Sequence, residues 1–291
     1  MPRPPHPGEN AERVRQGSFT DAAGLAHAFE GASQVLIVSV DTMGEECVRQ
    51  HRTAIEAAVA AGARRILYTS HMGASATSHF QACRDHAATE EALRACGVPF
   101  TSLRNGFYTT SALHFLGNAV ESGRFALPED GPVAWTAHAD LADATAAILA
   151  DEGRFDGPTP PLTGGQSLSF DDIAALATEL AGRTMTRTTV PDDQFREQLV
   201  SQGVPSEVAD QLLGIFAAGR AGEFATVDPT WPPCSAANPS PWARCCASNC
   251  PQADPRRGSA GCRYRQSSPC RPPGQGQADR RTALCPRAEV S

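Results

Sequence analysis

The stretch Gln34-Val-Leu-Ile-Val-Ser-Val40 decides the fold class of this 291-residue chain. It is a continuous apolar run of strand length, which is typical of a strand buried on both faces of a parallel sheet. A helical pattern over residues 45–61 follows it. The predicted buried face of that helix carries Val48, Ile55 and Val59.

The same alternation of strand and helix continues along the chain. Arg65-Ile-Leu-Tyr-Thr-Ser70 is a predicted strand, residues 79–95 form a predicted helix, and Phe100-Thr-Ser-Leu-Arg104 is a further predicted strand. A short strand at 13–17 and a short helix at 21–29 are predicted to precede them. Strands alternating with helices of this length imply right-handed crossovers and a parallel sheet between two helical layers. The predicted fold is therefore a doubly wound α/β domain.

Polar turns follow the three central strands. In doubly wound sheets, ligands bind beyond the carboxyl ends of the strands, which here are residues 39–42, 69–73 and 104–108. All three ends are rich in Ser, Thr, Gly or Asn. Any single strand-to-helix turn has this composition whatever its function, but three in succession favour a binding site.

The second half of the chain has a looser pattern. Helices are predicted at 109–122, 139–151, 170–181, 192–202 and 205–221, with extended pieces at 124–127, 132–135 and 187–190. Ser169-Phe-Asp-Asp172 has the spacing of a helix capping box. Residues of about 109–230 are therefore predicted to form a small, mostly helical cap on the ligand-binding edge of the sheet.

The composition changes near Trp231. Residues 231–291 hold seven of the ten cysteines and very few large apolar side chains, so we expect a disordered tail, and a disordered start over residues 1–12. Translation of a GC-rich gene in the wrong frame would produce such a tail. A metal-binding or redox tail is the alternative, but it lacks any Cys-x-x-Cys pair, and we predict no metal site.

Charge and residue usage exclude several classes of function. All 25 basic residues are Arg, and the net charge is −7. Without Lys, the chain has neither a Schiff-base lysine nor a phosphate-loop lysine. Its acidic body gives no reason to expect nucleic-acid binding. No run of 18 apolar residues and no signal peptide occurs, so we expect a cytoplasmic protein with no membrane association.

Four stretches together resemble a known family. They are the long run His86 to Thr109, Tyr68-Thr-Ser70, His138-Ala-Asp-Leu-Ala-Asp-Ala144 and Leu162-Thr-Gly-Gly165. The chain resembles the NmrA-like branch of the atypical short-chain dehydrogenase/reductases, in particular its NAD(P)H:quinone oxidoreductase-like members. The resemblance covers residues 13–230, the expected domain, and implies a Rossmann-like fold that binds NADP or NAD.

The resemblance also implies which residues form the site. The dinucleotide would lie against Ser39, Val40, Ser70, Asn105, Gly106 and Phe107. Tyr108 would lie on the substrate side, where it can bond a quinone oxygen or simply pack beneath the cap. The Tyr-x-x-x-Lys pair of typical short-chain dehydrogenases falls at Ala82 and His86, so the usual Tyr–Lys catalyst is excluded. His86 can instead donate a proton or a hydrogen bond, or play a structural part by capping its helix.

The chain departs from the family at its start. Members open with a strand and a Gly-x-x-Gly-x-x-Gly turn whose backbone N–H groups hold the pyrophosphate. No such turn occurs in the 291 residues, and the sheet is expected to be incomplete at its N-terminal side. A start codon assigned too far downstream and a degenerate remnant are both compatible with this. We therefore predict little NAD(P)H affinity for this polypeptide.

The function implied by the resemblance is hydride transfer from NAD(P)H to a quinone-like or other conjugated carbonyl acceptor. Hydride delivery from a well-placed nicotinamide does not require a Tyr–Lys pair. A non-catalytic NAD(P)-binding redox sensor that acts through a protein partner is the alternative, and an inactive chain is a third reading. A homodimer is compatible with the sequence.

Overall fold

A computed structural model describes residues 14–117 and 119–228, so the predicted disordered start and the predicted disordered tail lie outside the described residues. The elements are α1 (Ala22–Phe29), β1 (Gln34–Ile37), α2 (Glu45–Ala60), β2 (Arg65–His71), α3 (Gln81–Ala95), β3 (Phe100–Asn105), β4 (Phe107–Tyr108), α4 (Thr109–Leu116), α5 (Ala119–Ser122), β5 (Arg124–Leu127), β6 (Trp135–Thr136), α6 (His138–Ala150), β7 (Gly157–Pro158), α7 (Phe170–Ala181), β8 (Thr186–Thr189), α8 (Asp192–Ser201) and α9 (Ser206–Arg220).

The main sheet is parallel throughout and has the strand order β1-β2-β3-β7. Its central strand β2 is buried on both faces, since Ile66, Leu67 and Tyr68 are at most 1% exposed although successive side chains point to opposite faces. The parallel α/β fold predicted from the apolar runs is confirmed.

Two apolar clusters show that helices cover both faces of the sheet. On one face, Ile66 and Tyr68 pack with residues of α1, α2 and α3, among them Leu25, Ile55 and Leu93. On the other face, a second cluster joins β2, β3 and α6, formed by Leu67, Leu103, Leu141, Ala144, Ile148 and Leu162. The sheet is therefore doubly wound, as the sequence predicted.

Two local predictions were wrong. Residues 14–18 form no strand, and Val14 is 95% exposed. In α2 the buried stripe is turned relative to the predicted one: Val59 is 36% exposed, while His51 is fully buried. A polar side chain occupies the core-facing stripe because neighbouring elements supply its hydrogen-bond partners.

The second half of the chain is mostly helical, as predicted. Its strands form two short parallel pairs, β4 with β6 and β5 with β8. Its core is a third apolar cluster rich in aromatic rings, which includes Phe107, Trp135, Phe170, Phe216 and Phe224. The predicted capping box at Ser169 begins α7. Within the described ranges, no helix is long and apolar enough to cross a membrane.

Candidate functional site

The carboxyl ends of β1, β2 and β3 lie side by side, because the three strands are adjacent and parallel. This edge of the sheet brings together the turn after β1, His71 at the end of β2 and Asn105 at the end of β3. His71 and Asn105 are direct neighbours in the strand register. The edge predicted to bind a ligand is thus assembled from the residues that the sequence pointed to.

The turn after β1 is held by side chains from two other elements. The backbone N–H of Ser39 donates to Oγ1 of Thr69 on β2, at 2.8 Å. The backbone N–H of Val40 donates to Nε2 of His51 on α2, at 3.1 Å. These bonds fix the backbone where the family resemblance places the dinucleotide.

Ser70 and Arg104 are register partners on β2 and β3, and both bind Glu90 of α3. The Ser70 hydroxyl donates to Oε1 of Glu90 at 2.8 Å. Arg104 binds both carboxylate oxygens, at 3.1 and 2.7 Å. Glu90 is 1% exposed, so this charged pair is buried on one side. The hydroxyl of Ser70, a predicted cofactor-binding residue, is engaged within the protein.

Asn105, the last residue of β3, and Gly106, which follows it, differ in their packing. Asn105 is 5% exposed, and its side-chain oxygen Oδ1 is buried without a hydrogen-bond partner in the described part of the chain. Gly106 is packed so closely that a Cβ atom would lie 3.1 Å from the carbonyl oxygens of Ala134 and Leu162 and would clash with Thr136. Gly106 therefore allows β3 to approach the strands behind it.

An aromatic cluster lies beneath the edge. The Phe107 ring lies 5.2 to 5.4 Å from the rings of His71, Trp135 and Phe224. Phe224, just after α9, is fully buried, and a Cβ on Gly73 would lie only 2.8 Å from its ring. The segment after α9 thus closes one side of the edge.

Tyr108 is the exposed aromatic residue of the edge. Its side chain is 39% exposed, and its ring lies 4.3 Å from that of His138 at the start of α6. The exposure favours the predicted contact with a substrate over packing beneath the cap. The two rings are tilted by 39° relative to one another, and the exposed Tyr108 ring offers an aromatic face to a planar ligand.

His86, the residue at the position of the missing catalytic lysine, lies in α3 and contacts two residues of β2. Its Nδ1 is 2.7 Å from the hydroxyl of Tyr68 on β2, and its ring stacks on His71 at 6.0 Å. Burial, together with the neighbouring histidines, lowers the pKa of His86 to about 3. The imidazole is therefore neutral at physiological pH and is not a cationic acid.

Three residues of this constellation were not among the predicted site residues, namely His51, Tyr68 and His71. The first two carried a signal in the sequence. His51 lies four residues after Cys47 and four before Ile55, on one helical face. Tyr68 interrupts a buried strand, and a buried phenol needs a hydrogen-bond partner. The sequence did not reveal that they bind one another and His86.

The described residues form neither a metal-binding cluster nor a reactive thiol at Cys47 or Cys83. In those ranges no group of three or more His, Cys, Asp or Glu could hold a metal ion. Burial raises the pKa of the Cys47 thiol to about 11 and that of the Cys83 thiol to about 12. Both are therefore protonated near neutral pH and are poor nucleophiles.

Comparisons with known proteins agree on one family. A model of the NmrA-like family matches residues 9–238. Quinone oxidoreductase 2 of Escherichia coli is 34% identical over 200 residues, which are 68% of this chain and 69% of that protein.

Solved structures agree with this match. The NADPH-dependent quinone oxidoreductase of Escherichia coli, in complex with NADPH, superposes with a TM-score of 0.69 at 32% identity, covering 75% of this chain and 76% of that one. Triphenylmethane reductase of Citrobacter sp., in complex with NADP(H), gives a TM-score of 0.65 at 30% identity, with coverages of 74% and 76%.

Proposed function

Because the chain belongs to the NmrA-like family, we propose that it is an NAD(P)H-dependent oxidoreductase that reduces a quinone-like or other conjugated carbonyl acceptor. One relative with more than 30% identity, from Escherichia coli, is named as a quinone oxidoreductase and was solved with NADPH. This chain and that protein share their architecture over about three quarters of each. The corresponding site in this chain is the edge formed by the carboxyl ends of β1, β2 and β3.

Unpaired buried polar atoms at the carboxyl ends of the strands are the observation that carries the proposal. Oδ1 of Asn105, at the end of β3, and Oγ1 of Thr109, at the start of α4, are buried and without a partner in the described ranges. Buried polar groups are normally hydrogen-bonded. Unsatisfied atoms at the ligand-binding edge of a Rossmann-like sheet therefore fit a polar ligand that completes them, and the carboxamide N–H groups of nicotinamide suit Asn105.

The nicotinamide, when bound, supplies the hydride. The backbone at Ser39 and Val40 and the side chain of Asn105 would orient it. Phe107 would form the base of the site, and the exposed ring of Tyr108 would contact a planar acceptor. His86 would bind the acceptor oxygen. In this arrangement the predicted cofactor-binding residues and the predicted substrate-contacting residues are neighbours at one edge of the sheet.

The test is nucleotide oxidation by the purified 291-residue polypeptide with a panel of benzoquinones, naphthoquinones and enones. We expect quinone-dependent loss of the reduced-nicotinamide absorbance, at a rate that rises with NADPH concentration without saturating. Asn105→Leu, which removes the unpaired acceptor, is expected to lower that rate. Binding of NADPH without turnover of any acceptor would favour the redox-sensor alternative, and neither binding nor turnover would contradict both.

We expect this polypeptide to bind NAD(P)H weakly, because its sequence contains no Gly-x-x-Gly-x-x-Gly turn. Backbone N–H groups of that turn and the adjoining helix N-terminus hold the pyrophosphate in Rossmann folds. Isothermal titration calorimetry should therefore give no saturating heat with NADPH or NADH at micromolar nucleotide concentrations. Tight, saturable binding would refute this prediction. A homodimer, a cytoplasmic location and the absence of nucleic-acid binding also remain predictions.

A further inference from the structure

From the hydrogen bonds around α2, β2 and α3 we infer that a one-directional chain of donors fixes His86 as an imidazole with its proton on Nε2, and that this N–H binds the carbonyl oxygen of the acceptor. His51 and Tyr68 are then positioning residues for the reaction. The inference rests on the proposed function for the identity of the acceptor. The protonation pattern itself follows from the described contacts alone.

The direction of donation along this series of hydrogen bonds is set at Val40. A backbone N–H can only donate, so Nε2 of His51, at 3.1 Å from the Val40 nitrogen, must be an acceptor. The proton of the neutral ring is then on Nδ1. Burial lowers the pKa of His51 to about 4, which keeps the ring neutral. Nδ1 of His51 lies 3.0 Å from Oγ1 of Thr89, and that hydroxyl already donates to the carbonyl of Asp85.

Tyr68 links His51 to His86. Its hydroxyl oxygen lies 3.4 Å from Nδ1 of His51 and 2.7 Å from Nδ1 of His86. Because Nδ1 of His51 carries a proton, which it donates to Thr89, the Tyr68 hydroxyl cannot donate to that nitrogen. The Tyr68 proton is then donated along the shorter bond to His86. Tyr68 is fully buried, and burial raises its pKa, so the phenol retains that proton.

His86 is the last member of this series of hydrogen bonds. Its Nδ1 accepts from Tyr68, so its own proton is on Nε2. No residue in the described ranges binds this Nε2, and it is not among the buried atoms that lack a partner. The ring stacks on His71 at the end of β2, and His71 contacts Phe107 just after β3. The free donor is therefore at the ligand-binding edge.

A neutral N–H donor matches the charge that forms on the acceptor. When hydride adds to the conjugated carbon, the π electrons move to the carbonyl oxygen, which becomes an enolate or phenolate. A prearranged donor stabilises that oxyanion, and the preceding hydrogen bonds polarise the donor further. The oxyanion then takes its proton from water, the acceptor is reduced, and the nucleotide leaves oxidised.

The tautomers can be measured without nucleotide or acceptor. Long-range ¹H–¹⁵N NMR of the wild-type polypeptide should show the Nδ1–H form for His51 and the Nε2–H form for His86. In Tyr68→Phe, the His86 signals should move towards a mixture of the two forms. A wild-type His86 with its proton on Nδ1, or a tautomer indifferent to Tyr68→Phe, would overturn the inference. The wild-type spectrum decides the matter even if the variant does not fold.

The donor role is tested by two substitutions of one residue. His86→Gln can place an amide N–H near the position of Nε2, whereas His86→Asn places its amide near Nδ1 and removes the outer donor. We expect His86→Asn to lower kcat/KM for the quinone about a hundredfold, and His86→Gln to recover most of that loss. His27→Asn, at an exposed position of α1, is the control and should leave kcat/KM unchanged.

Binding of 4-nitrophenolate, a planar oxyanion, gives a readout that needs no turnover. Its dissociation constant should rise in His86→Asn and stay near the wild-type value in His86→Gln. Equal affinities for all three proteins, or no binding by the wild type, would overturn the donor role. Wild-type binding that depends on this N–H, in a protein that oxidises no NADPH, would support the donor while refuting the proposed function.

Discussion

Acidification from pH 7 to pH 5 is expected to destabilise the folded protein by several kcal/mol. Burial lowers the pKa of His51 and of His71 from the usual 6.5 to about 4, and that of His86 to about 3. The unfolded chain therefore binds more protons than the folded chain between pH 6.5 and pH 4. Stability is complete above pH 6.5 and is lost as the pH falls towards 4.

The effect is large because three such groups lie in one cluster. For the fully buried His51, linkage gives about 2 kcal/mol between pH 7 and pH 5. His71 and His86 are partly exposed, so each is expected to contribute somewhat less. The free energy of unfolding of a typical domain is roughly 5 to 15 kcal/mol. Protonation of these histidines could therefore unfold the protein near pH 5 without protonation of any carboxylate.

Urea denaturation followed by circular dichroism at several pH values measures this directly. The free energy of unfolding should rise with pH between 5 and 6.5, with an average slope of about two protons. In His51→Gln the slope should fall by about one proton, since one of the three groups is gone. Equal stability at pH 5 and pH 7 would contradict the neutral, buried state of the three histidines.

Glu90→Ala is expected to destabilise the fold by about 3 kcal/mol, the lower end of the range for removing one partner of a buried ion pair, because water still reaches the Arg104 side chain. Glu90 binds Ser70 of β2 and Arg104 of β3 at the same time. Without it, the guanidinium of Arg104, whose side chain is 28% exposed, lacks its bidentate partner. The Ser70 hydroxyl also loses its acceptor. Because Ser70 and Arg104 lie at the edge, nucleotide and acceptor binding should weaken as well.

The neighbouring Glu91 provides the matched control. It lies in the same helix, is 71% exposed in its side chain and contacts Arg94 at the surface. Exposed ion pairs contribute at most about 1 kcal/mol, so Glu91→Ala should change the free energy of unfolding by less than that. Urea denaturation of both variants compares them under one condition. A Glu90→Ala protein as stable as Glu91→Ala would show that the pair does not join β2, β3 and α3.

Much of the fold could be predicted because apolar periodicity is a local property. The runs at 34–40 and 65–70 became β1 and β2, and Ser169 caps α7 through its predicted box. Predictions failed where tertiary contacts override the pattern. Val14 lies in no strand, and the stripe of α2 is turned so that His51 faces inwards.

The site was predictable in part, for the same reason. Tyr108 and Asn105 could be placed at the carboxyl ends of the strands, because strand direction and order follow from the alternation of elements. What each side chain binds was not predictable. Ser70 donates to Glu90, and Gly106 is packed against backbone from 28 and more residues away.

By itself, the sequence determined the α/β class, the ligand-binding edge, the family resemblance and the exclusion of a Tyr–Lys catalyst, since the chain has no Lys. Only the tertiary structure decided how His86 is used. Its tautomer depends on a backbone N–H at Val40 and on side chains of α2 and β2, and these meet only when three separate elements pack together. Hydrogen-bond direction is a property of that packing, and no local pattern encodes it.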